Sequence, residues 1–229
     1  MPAVATPEAS TGDSYLGRGI YDVAEVARLL RRTRQRVEGW TRSDRRANPL
    51  LTGELAGLFS FWDLMSLRVI AVLLDRGVGR DHIRNGATYL ARRLGTDRPF
   101  AHKSLATMGA GFFAEVEPGE GWENVRQGGQ LAFQAVVVPL LEPIEFNDEG
   151  MAAIWRPRAE VWINPAVQAG EPCVNGTRVP TGLIARLLSA EDDRAPSDEE
   201  IAEVSDDYRL SVAQVRAALG FEHSLRPAA

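Results

Sequence analysis

Four short stretches of this chain carry the same mark of a helix start. Asp22-Val23-Ala24-Glu25, Ser60-Phe61-Trp62-Asp63, Ser197-Asp198-Glu199-Glu200 and Ser211-Val212-Ala213-Gln214 each place a short oxygen-bearing side chain three residues ahead of an acid or amide. The first side chain accepts from the amide three residues on, and the second reaches back, so the pair fixes where a helix begins. Apolar residues at three- and four-residue spacing follow each one. They are Val23, Val26, Ala27, Leu29 and Leu30 in the first, and Leu64, Leu67, Ile70, Ala71 and Leu74 in the second. Ile201 and Val204 line the third, and Val212, Val215, Ala218 and Leu219 the fourth. A fifth helix, roughly residues 81–94, lies between the stops Gly77 and Gly95, and Leu183, Ile184, Leu187 and Leu188 mark a sixth. Strand candidates are few. Phe112–Val116 is one. Ile144–Phe146 and Ala153–Trp155 form a hairpin around Asn147–Gly150, and Val161–Ile163 adds a third strand. Leu131–Leu141 reads as a helix that Pro139 ends or kinks. The expected fold class is mainly α with small β elements.

The charge is unevenly spread. The net charge of -5 conceals nine arginines against four acids in residues 18–46, and six basic against eleven acidic residues in 161–229. Different partners for front and back are the physical implication. In the basic part, the first helix breaks at Arg31-Arg32, and Thr33 can cap a second helix through Val37 and Trp40. Two short helices with a tight join form a helix-turn-helix pattern. Arg31, Arg32, Thr33, Arg34, Gln35, Arg36 and Arg42 surround the second helix, and Arg45 and Arg46 follow. Arginine forks onto guanine edges or phosphates and glutamine reads adenine, provided the helix enters a major groove. Residues 43–57 have the length of a two-stranded wing. This order over residues 18–95, carried by Tyr21–Leu30, Val37, Trp40, Phe61-Trp62-Asp63-Leu64 and Arg76-Gly77-Val78, resembles the MerR-type winged helix. The resemblance implies DNA binding. It stops at residue 96, because residues 96–129 hold no heptads for the dimerising coiled coil of that family. The alternative is a helical interaction module with a solvated arginine face.

Between Asn164 and Thr181 lies a loop dense in glycine and proline, with Gly170, Pro172, Gly176 and Pro180 around Cys173 and Arg178. Such a loop is shaped rather than slack. Its Gly-x-Pro-x-Val-x-Gly-Thr-Arg-Val-Pro run and the helices after it resemble a small helical domain common in prokaryotic antitoxins of type II toxin–antitoxin systems, partners of PIN-type ribonuclease toxins. The three helices also resemble a homeodomain-like bundle. The acidic residues 191–207 oppose phosphate, so a protein-facing role is expected, with Glu199, Glu200 and Glu203 as partner-binding residues. Arg178 either forks onto a partner carboxylate or pins its own loop through backbone carbonyls.

No catalytic or metal constellation stands out. His82, His102 and His223 are far apart, with no acid or cysteine at ligand spacing. Cys173 could be activated by Arg178, but no base flanks it. Trp122, Trp155 and Trp162 are expected to pack rather than line a ligand site. A lone cysteine and the absence of a membrane-length apolar run point to the cytoplasm. No cofactor is expected.

Four segments follow: a disordered tail (1–17), a winged helix (18–95), a middle segment (96–160) and a helical antitoxin-type domain (161–229). The function expected is an antitoxin that neutralises a PIN-type toxin and, as a homodimer, binds its own operator DNA. The alternatives are a MerR-like regulator sensing a small ligand, and an adaptor without DNA contact.

Overall fold

The computed structural model describes residues 17–43, 48–54, 57–110, 129–188 and 195–226. It is mainly α with one small sheet. Four helices come first: α1 (Val23–Leu30), α2 (Arg34–Thr41), α3 (Phe61–Asp75) and α4 (Arg80–Leu94). A 3-10 turn (Pro99–Ala101) and a π-turn (Leu105–Gly109) precede α5 (Gly129–Leu141). The sheet follows: β1 (Ile144–Phe146), β2 (Ala152–Arg158), β3 (Val161–Ile163) and β4 (Cys173–Val174), antiparallel in the order β1-β2-β3-β4. Helices α6 (Thr181–Leu188), α7 (Asp198–Tyr208) and α8 (Val212–Leu225) close the described chain.

The boundary chemistry behaves locally. Ser60/Asp63, Ser197/Glu200 and Ser211/Gln214 form both halves of their capping boxes. Asp22 makes the first half only, accepting from the Glu25 amide at 2.7 Å. Glu25 is half-buried, and burial pushes its carboxyl above the usual range; Arg28 opposes the shift, while Asp22 and Glu171 add to it. The hairpin and the third strand form where the alternation placed them. Pro139 does not end α5, which runs two residues further. In the last turn only one amide bond is forfeited, and Arg68 Nη1 caps the free end by donating to the Leu140 carbonyl at 2.5 Å. The expected strand Phe112–Val116 lies outside the described residues. So do Trp122, residues 1–16 of the expected tail, and the acidic stretch 191–194.

One apolar core takes Val26, Val37 and Trp40 from the first helix pair, most of α3, Phe133 and Val137 of α5, and Trp155 and Ile163 of the sheet. A second is built from Val174, Ile184, Ile201, Val204, Val215 and Ala218. Helix α8 joins them: Val215 and Ala218 face the second core, while Phe221 and Leu225 belong to the first. Trp155 and Trp162 are packing residues, with Arg68 stacked 4.9 Å over the Trp155 ring and Trp162 Nε1 donating to the Thr177 carbonyl.

The two helix pairs share one backbone design. Each first helix ends on an arginine in the left-handed region, Arg31 at φ 54 and Arg209 at φ 52. Two residues later comes the hydroxyl N-cap, Thr33 or Ser211, accepting from the amide three on at 3.3 and 3.2 Å. The closing bonds also correspond: Arg32 N to Ala27 O at 2.8 Å, and Leu210 N to Ser205 O at 2.9 Å. The sequences align without a gap. Val23-Ala24-Glu25-Val26-Ala27 stands against Ile201-Ala202-Glu203-Val204-Ser205, and the buried Val37 against the buried Val215. Pair α7–α8 is thus a second copy of the α1–α2 helix-turn-helix.

Candidate nucleic-acid and partner surfaces

The first copy brings the predicted arginines together. Arg34, Gln35 and Arg36 are exposed on α2, Arg42 is exposed just past its end, and Arg31 is exposed at the turn. Two carboxylates thread this face. Asp75, at the end of α3, pairs with Arg32 and with Arg36 at 3.0 Å. Glu38 pairs with Arg34 at 3.0 Å and Arg42 at 3.4 Å. Exposed pairs of this kind are worth at most about 1 kcal/mol, so a phosphate can displace them. Thr33 spends its hydroxyl on capping α2. Arg45 and Arg46 lie outside the described residues. The expected wing, residues 43–57, is described only at 43, 48–54 and 57, and these form no ladder. Just beyond them, Phe59 makes a single antiparallel bridge with Tyr21.

That wing segment is nevertheless held firmly, by Asp63, read in the sequence only as a capping residue, and by arginines that sequence reasoning passed over. Asp63, fully buried, accepts from the Glu54 amide at 2.8 Å and the Ser60 amide at 2.9 Å, and pairs with Arg98 Nε at 2.5 Å. Arg98 also donates to the Thr52 carbonyl at 3.1 Å. From α4, Arg80 donates to the Gly39 carbonyl and Arg84 to the Asn48 carbonyl. Three arginines thus spend donors on backbone carbonyls to fix α2 and the segment after it. The only sequence signal was their number.

In the second copy, the positions matching Arg34, Gln35 and Arg36 are Val212, Ala213 and Gln214, and Arg28 is matched by Asp206. Val212 is 42% exposed. Glu199 and Glu203 are exposed on α7 with Asp206 and Asp207, and none of the four has an ion-pair partner among the described residues. Glu200 is only half exposed and is committed to the capping box. Asp198 pairs with Arg216 at 2.6 Å. The matching face of this copy is therefore uncharged and acid-flanked where the first is basic.

The glycine-proline loop joins the two copies. Gln168, Ala169 and Gly170 all have positive φ, at 47, 51 and 90°. The turn brings the Gly170 carbonyl to the Tyr21 hydroxyl at 2.9 Å and the Ala169 carbonyl to the Ile20 amide at 2.9 Å. Tyr21 is fully buried, which holds its phenol protonated far above the usual range, with Glu25 adding to the effect. Arg28 of α1 reaches Glu222 of α8 at 2.9 Å. Arg178 is exposed, and its guanidinium bonds no carbonyl among the described residues; the loop is tied instead by Gln168 Nε2 donating to the Arg178 carbonyl at 3.1 Å. Burial pushes the Cys173 thiol up to about 11; Glu171 adds to this and Arg178 opposes it more weakly. The activation expected from Arg178 is therefore outweighed, and the thiol stays protonated near neutral pH. His102 is buried, its ring accepting from the Ser104 amide and facing the Glu149 carbonyl. Among the described residues, no three acids, histidines or cysteines form a metal-holding group, and no helix is long and apolar enough to cross a membrane.

This arrangement is a mainly α fold with two helix-turn-helix units and a small sheet between them. It is shared with a solved structure, the X-ray crystal structure of Rv2018 from Mycobacterium tuberculosis. That structure aligns with a TM-score of 0.60 over 89% of this chain and 98% of that one, at 21% identity. Residues 161–221, from β3 into α8, match a family described as a protein of unknown function, DUF433. No curated protein matches the chain.

Proposed function

We propose that the chain is a cytoplasmic antitoxin-type regulator. The α1–α2 unit holds its own operator DNA, with the chain acting as a homodimer, and the acidic rear unit holds a PIN-type ribonuclease toxin. The observation that carries this reading is the inverse surface chemistry of two units built on one backbone. Arg34, Gln35, Arg36 and Arg42 offer charge and forked donors on one copy, while Val212 and Ala213 with unpaired Glu199 and Glu203 occupy the other. Arginine neutralises phosphate; an apolar patch with an acidic flank suits a basic protein surface. The likeness of the Gly-Thr-Arg-Val-Pro run to antitoxin domains supplies the partner class, and Arg178, free of its own loop, is available to it.

The test is binding of the full chain to its own upstream DNA across a salt series, against unrelated DNA and an Arg34→Glu/Arg36→Glu variant. Specific binding that weakens by about 0.9 log units per phosphate neutralised, and that collapses in the variant, is the expected result. Absence of binding at low salt refutes the reader. Protection against the product of the neighbouring gene, assayed with Glu199→Gln/Glu203→Gln, tests the rear separately. Undiminished protection refutes the acidic contact. Glu200 is left intact there because it caps α7.

A further inference from the structure

A cleft of about 600 Å3 opens where α1, the corner at Glu171-Pro172, α6 and α8 meet. Neither proposed surface uses it. Pro172, Leu183 and Leu225 form apolar wall, and three guanidinium groups ring it, those of Arg28, Arg186 and Arg226. Arg28 is engaged by Glu222 at 2.9 Å. Arg186 and Arg226 are exposed, and their guanidinium groups have no hydrogen-bond or ion-pair partner among the described residues. The cleft also holds two acids. Glu222 is occupied on both oxygens, by Arg28 and by the Thr181 hydroxyl at 2.5 Å. Glu171 stands near Glu25, whose carboxyl it helps to raise. Two unspent guanidinium forks over apolar wall, in a volume of the small-ligand class of ~300–1,000 Å3, define a chemistry: guanidinium matches a carboxylate, and the wall accepts a hydrocarbon.

We propose that this cleft binds a small carboxylate carried on an apolar body. Arg186 and Arg226 hold the carboxylate, and Leu183 and Leu225 cover the body. Its position gives binding a consequence. A carboxylate here competes with Glu222 for Arg28, which is the ion pair that ties the first helix of the front unit to the last helix of the rear one. The proposal goes beyond the antitoxin reading and stands whether or not DNA or a toxin is bound.

The experiment is a titration of the full chain with octanoate, followed by backbone amide shifts, with octanol and inorganic phosphate as parallel arms. Saturable shifts are expected around residues 182–186, 222–226 and 28 with octanoate alone. Arg186→Ala/Arg226→Ala should weaken this by tenfold or more while leaving the rest of the spectrum in place, since both residues are exposed. Glu222→Gln keeps an acceptor for Thr181 but releases Arg28, and should tighten binding. Lack of saturation overturns the site. Saturation that survives the double variant overturns the assigned residues. Phosphate binding as well as octanoate overturns the role of the apolar wall. Weaker binding in Glu222→Gln, or silence at Arg28, overturns the competition.

Discussion

Replacing Gly170 with alanine tests the junction between the two halves. The backbone there has φ +90, where an L-residue is strained by roughly 1–2 kcal/mol. A Cβ would also fall inside van der Waals contact of the Tyr21 hydroxyl oxygen and 2.8 Å from Cζ. Tyr21 is fully buried, so its ring has no open space to swing into. Either the ring stays, and overpacking costs about 1–3 kcal/mol, or it moves. Movement breaks the 2.9 Å bond to the Gly170 carbonyl and leaves two buried polar groups unpaired, at about 1–3 kcal/mol. These are alternatives rather than a sum, so the total is about 2–5 kcal/mol. Equilibrium urea unfolding, with a slope of about 2 kcal/mol per molar, should show the midpoint falling by roughly 1–2.5 M. Tyr21→Phe removes the clashing oxygen and should cost only about 1 kcal/mol alone. In the double variant the two effects should fail to add, by about 1 kcal/mol or more. A Gly170→Ala protein within about 0.5 kcal/mol of the parent, or strictly additive effects, would refute the close approach of the loop to Tyr21.

Two further outcomes follow from the same geometry. Arg31→Gly and Arg209→Gly each relieve a left-handed arginine, so each should be neutral or stabilising by up to about 1 kcal/mol in thermal unfolding; only Arg31→Gly should also flatten the salt dependence of DNA binding, and equal effects of the two on DNA would contradict the division of labour. Cys173 should resist a thiol reagent at pH 8 in the native state. Because its folded pKa lies above the ordinary value, its contribution to stability is present below pH 9 and lost as pH rises through about 11; rapid modification without unfolding, or stability increasing across that window, would contradict the burial.

What was legible in the sequence was short-range. A capping box spans three residues and reports its own presence, so three of the four boxes form in full. The exception is instructive. Glu25 had the right spacing, yet only the Asp22 half of its box forms, and its carboxyl is partly buried, in the field of Glu171 from across the chain as well as of its neighbours Arg28 and Asp22. The hairpin over 144–155 was readable for the same local reason, because its turn residues and alternation are contiguous. The contacts that join the halves were not readable. Tyr21 with Gly170 and Arg28 with Glu222 link residues 149 and 194 apart, and nothing in either neighbourhood names the other. Nor did residue type announce the backbone of Gln168 and Ala169, which enter the left-handed region without being glycine.

The internal repeat lay in plain view at both levels, and it was hidden by charge. Reading the front as basic and the rear as acidic made them look like different modules, although Val-Ala-Glu-Val and Ile-Ala-Glu-Val stand at the same distance before an arginine and a hydroxyl cap. Core positions explain why the backbone stayed the same. Val26, Ala27 and Val37 are buried in one copy, and Val204, Ser205 and Val215 in the other, so the residues that set the crossing of the helices are nearly invariant in size. Surface positions carry no such constraint, and there Arg28 is replaced by Asp206, Arg34 by Val212 and Arg36 by Gln214 in the second copy. Polarity at exposed positions decides what a unit binds, while volume at buried positions decides what it is. One helix joins the two units, with Phe221 and Leu225 in the front core and Val215 and Ala218 in the rear one, so the same apolar packing that shapes each unit also fixes them to each other.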